Sequence, residues 1–267
     1  MKFSLTQHIR NMLLLGKKII TTTPHLAKEV GSINAKGDKT IGMDIKVEQV
    51  LIDYIKKNNL PFNIFSEEIG TINFHPNPTH IIVFDPLDGS TNYKLGKNLL
   101  PYGLLIACYE GLNPKLKNVV ASGAIEYTTN LSWIYDGRTT KTLKGEQVNL
   151  KKRWEINQST PVYFDLYYKK AYDAFAPLAQ KIHIRWTGSN IGSLTYTMAQ
   201  ISTVMSAYQM RPEEIGTMTS LIKGAGGIAV NHKGQDLGEE YFSTEKTYQI
   251  LAGNKKVVDF IVEKLNQ

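Results

Sequence analysis

Two carboxylates stand three residues apart at the end of an apolar run. Ile81-Ile82-Val83-Phe84 reads as a buried strand, and it gives way to Asp85-Pro86-Leu87-Asp88-Gly89-Ser90-Thr91-Asn92. Pro86 and Gly89 predict a tight turn in which Asp85 and Asp88 converge on one point instead of alternating across a sheet. Converging carboxylates repel each other unless something neutralises them. A hard divalent cation with oxygen ligands does so, and the Leu87 carbonyl adds a neutral ligand. Gly89-Ser90-Thr91 then begins a helical turn, whose free N–H groups and positive dipole end favour an anion such as phosphate. An Asx-turn followed by an N-cap explains one of the two aspartates with ease and both of them poorly.

These residues need a frame to hold them. Ser4 and Gln7 have capping-box spacing, and Leu5, Ile9, Met12, Leu13, Gly16 and Ile20 share one helical face. After a glycine-bearing loop from Gly31 to Gly42, Val47, Val50, Leu51 and Tyr54 repeat the pattern, with Asp44 where an N-cap would sit. From Ile64 to Tyr135 short β-rich runs follow, at 81–84, 102–109, 119–125 and 131–135, and predict a sheet packed on the two helices. The polar, lysine-rich stretch from Asp136 to Gln158 marks a boundary between an N-terminal α+β half, 1–155, and a C-terminal α/β half, 156–267. Beyond it, strands at 162–166, 183–186, 227–230 and 248–251 alternate with helices at 169–180, 190–200, 214–224 and from Lys255 onward.

Composition narrows the setting. A chain of 267 residues, 42% hydrophobic and 21% charged, can bury a core and is not of disordered composition. Its single cysteine, Cys108, lies in an apolar run and predicts a buried thiol with no intrachain disulfide. Near the N-terminus, Met12-Leu13-Leu14-Leu15 is too short for a signal peptide, and no run approaches a bilayer span, so a cytoplasmic setting without a membrane is expected. The net charge of +7 favours acidic partners, but the lysines are spread along the chain, with Lys151-Lys152-Arg153 the nearest thing to a cluster. That spread argues against nucleic acid and for a small phosphorylated metabolite.

Asp85-Pro86-Leu87-Asp88-Gly89-Ser90 resembles the metal-binding motif of the inositol monophosphatase and fructose-1,6-bisphosphatase superfamily of lithium-sensitive phosphatases. Other pieces follow the family's order. Ser66-Glu67-Glu68 is similar to its glutamate pair, and Gly37-Asp38 and Asp44 are similar to its upstream acids. Arg185-Trp186-Thr187-Gly188-Ser189 resembles its glycine-plus-hydroxyl segment, and Glu214, eleven residues before Ala225-Gly226-Gly227, stands where the family has its last metal carboxylate. At that position inositol monophosphatases usually carry a Trp-Asp pair, whereas bisphosphatases carry glutamate, as here. Gln209 falls near the place where many members have an acid that binds substrate hydroxyls.

The resemblance implies a layered αβαβα sandwich, a homodimer, and a Mg2+-dependent phosphomonoesterase in which Mn2+ can stand in for Mg2+. It implies that Glu67, Asp85 and the Leu87 carbonyl hold one metal, that Asp85, Asp88 and Glu214 hold a second, and that Glu67 or Glu68 supports a third. Glu67, Ser90 and Asp44 then serve the attack of water, with Ser90 hydrogen-bonded to Asp44. Gly89, Ser90 and Thr91 cradle the phosphate, and Gly188, Ser189 and Asn190 touch the polyol. Inositol monophosphatase-like activity is the leading expectation. Its alternatives are a fructose-1,6-bisphosphatase, a 3'-phosphoadenosine 5'-phosphate or NADP phosphatase, a regulatory nucleic-acid-binding protein on this scaffold, and a phosphate-binding protein without activity.

Overall fold

Ser4 caps the first helix, α1 (Leu5–Thr22), its side chain accepting the Gln7 N–H at 3.4 Å. The box is one-sided, because the Gln7 amide turns to Asn11 at 2.9 Å. Ile9, Met12, Leu13, Gly16 and Ile20 form the buried stripe, with Leu5 only partly covered. The structure, a computed structural model, describes residues 4–23, 29–33, 39–96, 99–152 and 154–267. Gly37, Asp38 and Arg153 lie outside the described residues.

Part of the loop expected from Gly31 to Gly42 is an antiparallel pair, β1 (Glu29–Ile33) and β2 (Lys39–Ile41). β-branched Val30, Ile33, Thr40 and Ile41 outweigh the glycines there. Next comes α2 (Gly42–Lys57), whose N-cap is Ile41 and not Asp44. Asp44 is the third helical residue and reaches back, Oδ2 accepting the Ile41 N–H at 3.2 Å. An acid in the first turn satisfies a free N–H and complements the dipole as well as a cap would.

The first sheet contains β3 (Phe62–Ser66), β4 (Gly70–Ile72), β5 (His80–Asp88), then, after helix α3 (Ser90–Gly96), β6 (Gly103–Glu110), β7 (Val119–Glu126), β8 (Ser132–Tyr135) and β9 (Thr140–Thr142). Its order is β4-β3-β5-β6-β7-β8-β9, and β3–β5 is the parallel pair within it. Strand β9 falls inside the stretch read as a boundary. Thr140 is buried there, and its hydroxyl donates to the Leu221 carbonyl at 2.8 Å.

The second sheet contains β10 (Pro161–Phe164), then, after α4 (Lys169–Phe175), β11 (His183–Arg185), and, after α5 (Asn190–Met198), β12 (Val204–Met210). Helix α6 (Pro212–Gly224), β13 (Ile228–Val230), β14 (Tyr248–Gly253) and α7 (Lys255–Leu265) complete the chain. The order is β11-β10-β12-β14-β13. Sequence reading omits β12, the sheet's central strand. Buried on both faces through Ala207, it shows none of the alternation that marks a half-exposed strand.

The layers stack as helix, sheet, helix, sheet, helix, a layered α+β sandwich. One face of the first sheet packs on α1 and α2, and the other on α5 and α6, which also lie against the second sheet. Helices α4 and α7 cover the outer face of the second sheet. Helix α6 is buried continuously from Pro212 to Ile222, as a helix between two sheets must be. Cys108 is a buried free thiol, as expected. Among the described residues no helix is long and apolar enough to cross a membrane.

Candidate active site

Strand β5 does not stop at Phe84 but continues to Asp88 through an irregularity. Asp85 pairs with Leu105 and Asp88 with Gly103, so three steps on β5 face two on β6. In a regular strand, residues three apart point to opposite faces. The extra residue is a bulge that returns both carboxylates to one side. The expected convergence is present, and its device is a bulge within the strand. The Leu87 N–H donates to Asp85 Oδ1 at 2.9 Å and fixes that carboxylate.

Gly89 then turns the chain into α3 with φ +85°, and a Cβ there would come within 2.9 Å of the Pro101 carbonyl oxygen. Gly89→Ala is expected to cost about 1–3 kcal/mol from the strained backbone alone, read as a lower melting temperature. It should also displace Ser90 and Thr91, read as a raised KM.

The third carboxylate comes from the other sheet's side. Arg211 precedes α6 and Pro212 opens it, which sets Glu214 at the third helical position. Carboxylate oxygens of Asp85, Asp88 and Glu214 lie within 4.8 Å of one another, and all three residues are buried. Glu214 Oε2 accepts from Asn190 Nδ2 at 2.9 Å and from the Arg211 N–H at 3.0 Å. Asp88 Oδ2 accepts the Ile191 N–H at the start of α5. Asn92 Nδ2 spans the turn to the Pro101 and Thr187 carbonyls, at 2.8 and 3.0 Å, and Gly188 keeps φ +75° where a Cβ would meet Asn92 Oδ1. Ser189 caps α5, accepting the Gly192 N–H at 3.2 Å.

Glu67 is not part of that triad; its Oε1 forms an ion pair with the Arg211 guanidinium. Arg211 therefore bridges the two sheets. Leu87, Gly89, Ser90, Thr91, Gly188 and Ser189 line one cleft of about 220 Å3 together with the triad, Glu67 and Asn190. Glu68 and Asp44 do not line it. Asp44 lies behind, buried, and is not hydrogen-bonded to Ser90; its Oδ1 has no partner. The Ser90–Asp44 bond that the resemblance implied is not formed, because Asp44 is turned back onto Ile41.

Burial and crowding set the electrostatics. Burial first, then Glu67, Asp88 and Glu214, hold Asp85 well above the usual carboxylate range. Burial pushes Asp88 up to about 6 against the Ile191 N–H and Arg211, and burial with Asp88 and Glu213 pushes Glu214 up to about 8. Arg211 is driven upward despite its burial by Glu67, Glu214, Asp85 and Glu213. Asp44 is pushed up to about 8 by burial and then Glu68. A site that strains to keep three acids ionised is one that a divalent cation relieves. The donor set is all hard oxygen, and the Asn190 and Arg211 bonds both fall on Glu214 Oε2 and not on Oε1, so the residues fit such an ion.

Several residues here escape sequence reading. Glu48, also buried and pushed up to about 8, accepts the Ile69 N–H at 3.3 Å. Its signal was a carboxylate four residues after Asp44, inside the apolar stripe of α2. Asp165, Tyr167, Tyr168 and Trp186 line the same cleft as the bulge residues. Asp165 directly follows parallel strand β10, and the carboxyl end of such strands is where ligands bind in α/β sheets.

No family model matches the chain. A fructose-1,6-bisphosphatase/inositol-1-monophosphatase of Thermococcus kodakarensis is 26% identical over 247 residues, covering 91% of this chain and 89% of that protein. Among solved structures, the extragenic suppressor protein suhB of Bartonella henselae superposes with a TM-score of 0.81 at 16% identity, covering 98% of both chains. Fructose-1,6-bisphosphatase of Leishmania major does so with 0.78 at 17% identity, covering 98% of this chain and 94% of that one. Fold, cleft and relatives together define a phosphoric monoester hydrolase. Within that class the chain is similar, in sequence and in fold, to the inositol monophosphatase and fructose-1,6-bisphosphatase superfamily.

Proposed function

We propose that this chain is a Mg2+-dependent phosphomonoesterase that hydrolyses a small polyol or sugar phosphate in the manner of an inositol monophosphatase. The observation that carries the reading is the buried triad of Asp85, Asp88 and Glu214 at a polar cleft. A divalent cation bound there supplies charge neutralisation for the phosphate and acidity for a water molecule. Asp85, Asp88 and Glu214 are its holders, with the Leu87 carbonyl and Glu67 as further oxygen donors. Glu67 reaches that role by exchanging its bond to Arg211, which leaves the guanidinium to meet the phosphate.

The chain's own groups do the rest. The N–H groups of the Gly89–Thr91 turn hold the phosphate oxygens, and Ser90, which lines the cleft, orients the attacking water. Asp44, with its unpartnered Oδ1, stands behind as a proton acceptor, its carboxyl kept raised by burial and then by Glu68. Asn190 positions Glu214, while Gly188 and Ser189 form the wall beside the leaving group. In this reading 1–155 supplies the phosphate-facing turn and 156–267 supplies Glu214 and the substrate wall.

A fructose-1,6-bisphosphatase is the second reading, favoured by glutamate at position 214 and by the double name of the Thermococcus relative. Release of phosphate from inositol 1-phosphate, fructose 1,6-bisphosphate, histidinol phosphate, 3'-phosphoadenosine 5'-phosphate and NADP, with Mg2+ or with EDTA, separates the readings. Turnover should require the cation and favour a polyol or sugar ester. Release that persists in EDTA, or from the adenine nucleotides alone, would remove the proposal.

A further inference from the structure

The cleft is rich in acids and poor in bases. Among its described lining residues Glu67, Asp85, Asp88, Asp165 and Glu214 are acidic, and Arg211 is the sole base. Four of these acids belong to or adjoin the cation site, and Arg211 is committed in either state, to Glu67 as it stands and to the first phosphate once Glu67 turns to the cation. Asp165 stands apart from them. It follows β10 in the second sheet, and its Oδ1 accepts the Tyr167 N–H at 3.0 Å, with the Tyr208 N–H also holding it. The same cleft is lined by two exposed aromatic side chains, Tyr167 at 73% and Trp186 at 53%, with Tyr168 edge-on to the Tyr167 ring.

A substrate whose phosphate sits at the triad must send the remainder of the molecule past this wall. A second phosphate arriving there would meet a carboxylate and no free lysine or arginine among the described lining residues. Like charges in a partly desolvated cleft repel, and such a repulsive element is how a site rejects a near relative of its substrate. A hydroxyl, by contrast, donates to a carboxylate in a charge-assisted hydrogen bond, and each carboxylate oxygen has a lone pair to spare beyond its backbone partner. Exposed tyrosine and tryptophan rings offer apolar faces to the C–H side of a sugar or cyclitol ring.

We propose that Asp165 is a specificity-determining residue that admits esters carrying one phosphate and free hydroxyls and rejects those carrying a second phosphate. The substrate class is then a monophosphorylated polyol or sugar; this deepens the phosphatase reading and rests on it. Tyr167 and Trp186 form the platform on which the ring lies, and Asp165 reads its hydroxyls.

The test compares kcat/KM for inositol 1-phosphate and fructose 1,6-bisphosphate, both with Mg2+, in the wild-type chain, Asp165→Asn and Asp165→Lys. The wild type should prefer the monophosphate by at least about tenfold, equivalent to ~1.4 kcal/mol. Asp165→Asn should erase most of that preference through a lower KM for the bisphosphate at little-changed kcat, and Asp165→Lys should reverse it. Thermal melting checks that each variant is folded, and Asp165→Ser takes the place of one that is not. A wild type that prefers the bisphosphate, or a preference unchanged within about twofold on neutralising Asp165, overturns the assignment alone. Absence of phosphate release from both esters overturns the phosphatase reading and this one together.

Discussion

Asp88→Asn is expected to lower Mg2+-dependent phosphate release by at least about 10^3-fold, the scale of removing one key electrostatic group from an active site, while the chain stays folded. Asp88 offers a carboxylate oxygen within 4.8 Å of those of Asp85 and Glu214 and is held by the Ile191 N–H. Asparagine keeps the shape and an oxygen to accept that N–H, but it removes the negative charge that a cation needs. The structural cost should be small or negative. Asp88 is buried and its carboxyl is pushed up to about 6, so the metal-free chain loses a repulsive charge when it is replaced. A phosphate-release assay beside a thermal melt separates the two effects. Turnover within tenfold of the wild type in a folded variant would rule out the cation site as the seat of catalysis.

Stability should respond to pH in opposite senses with and without the cation. Asp44, Glu48 and Glu214 are each pushed up to about 8, and Asp88 to about 6. A carboxyl whose pKa is higher folded than unfolded binds more protons in the folded state through the window between the two values. Its contribution is therefore fully present below about pH 4 and is lost as pH rises to about 8.

In EDTA, then, the melting temperature should fall between pH 5 and 8 by roughly several degrees. Mg2+ binds the ionised forms, so its stabilisation should be slight at pH 5 and largest near pH 8, because protons and cations compete for the same oxygens. A Mg2+-induced shift in melting temperature that is equal at both pH values would contradict this. Asp88→Asn should shrink the shift, a readout independent of turnover.

Much of this was legible in the sequence because it is local. The period of α1, the apolar run of β6 and the turn chemistry at Gly89 are written within windows of a few residues. What escaped depends on distant neighbours. Strand β12 has no alternation because α5 covers one of its faces and α4 packs on the sheet from outside, and neither contact is visible in seven residues. The bulge depends on how β6 pairs with β5, so a turn was the nearest local guess. Asp44 was placed one turn element too early, as a cap, because a first-turn acid and an N-cap aspartate leave the same trace in sequence. Glu67, expected in the cation site, lines the same cleft and is held there by an arginine 144 residues away, a partner that no local window shows.

That arginine has a consequence for the life of the chain. Arg211 and Glu214 at the start of α6, and the Ile191 N–H at the start of α5, belong to segments made late, whereas Glu67, Asp85 and Asp88 are made early. A partly synthesised or half-unfolded chain holds an incomplete, mutually repelling set of acids. On the proposed reading such a species lacks a complete cation site, so hydrolysis is expected only after native docking, and activity then reports that the last layers are in place.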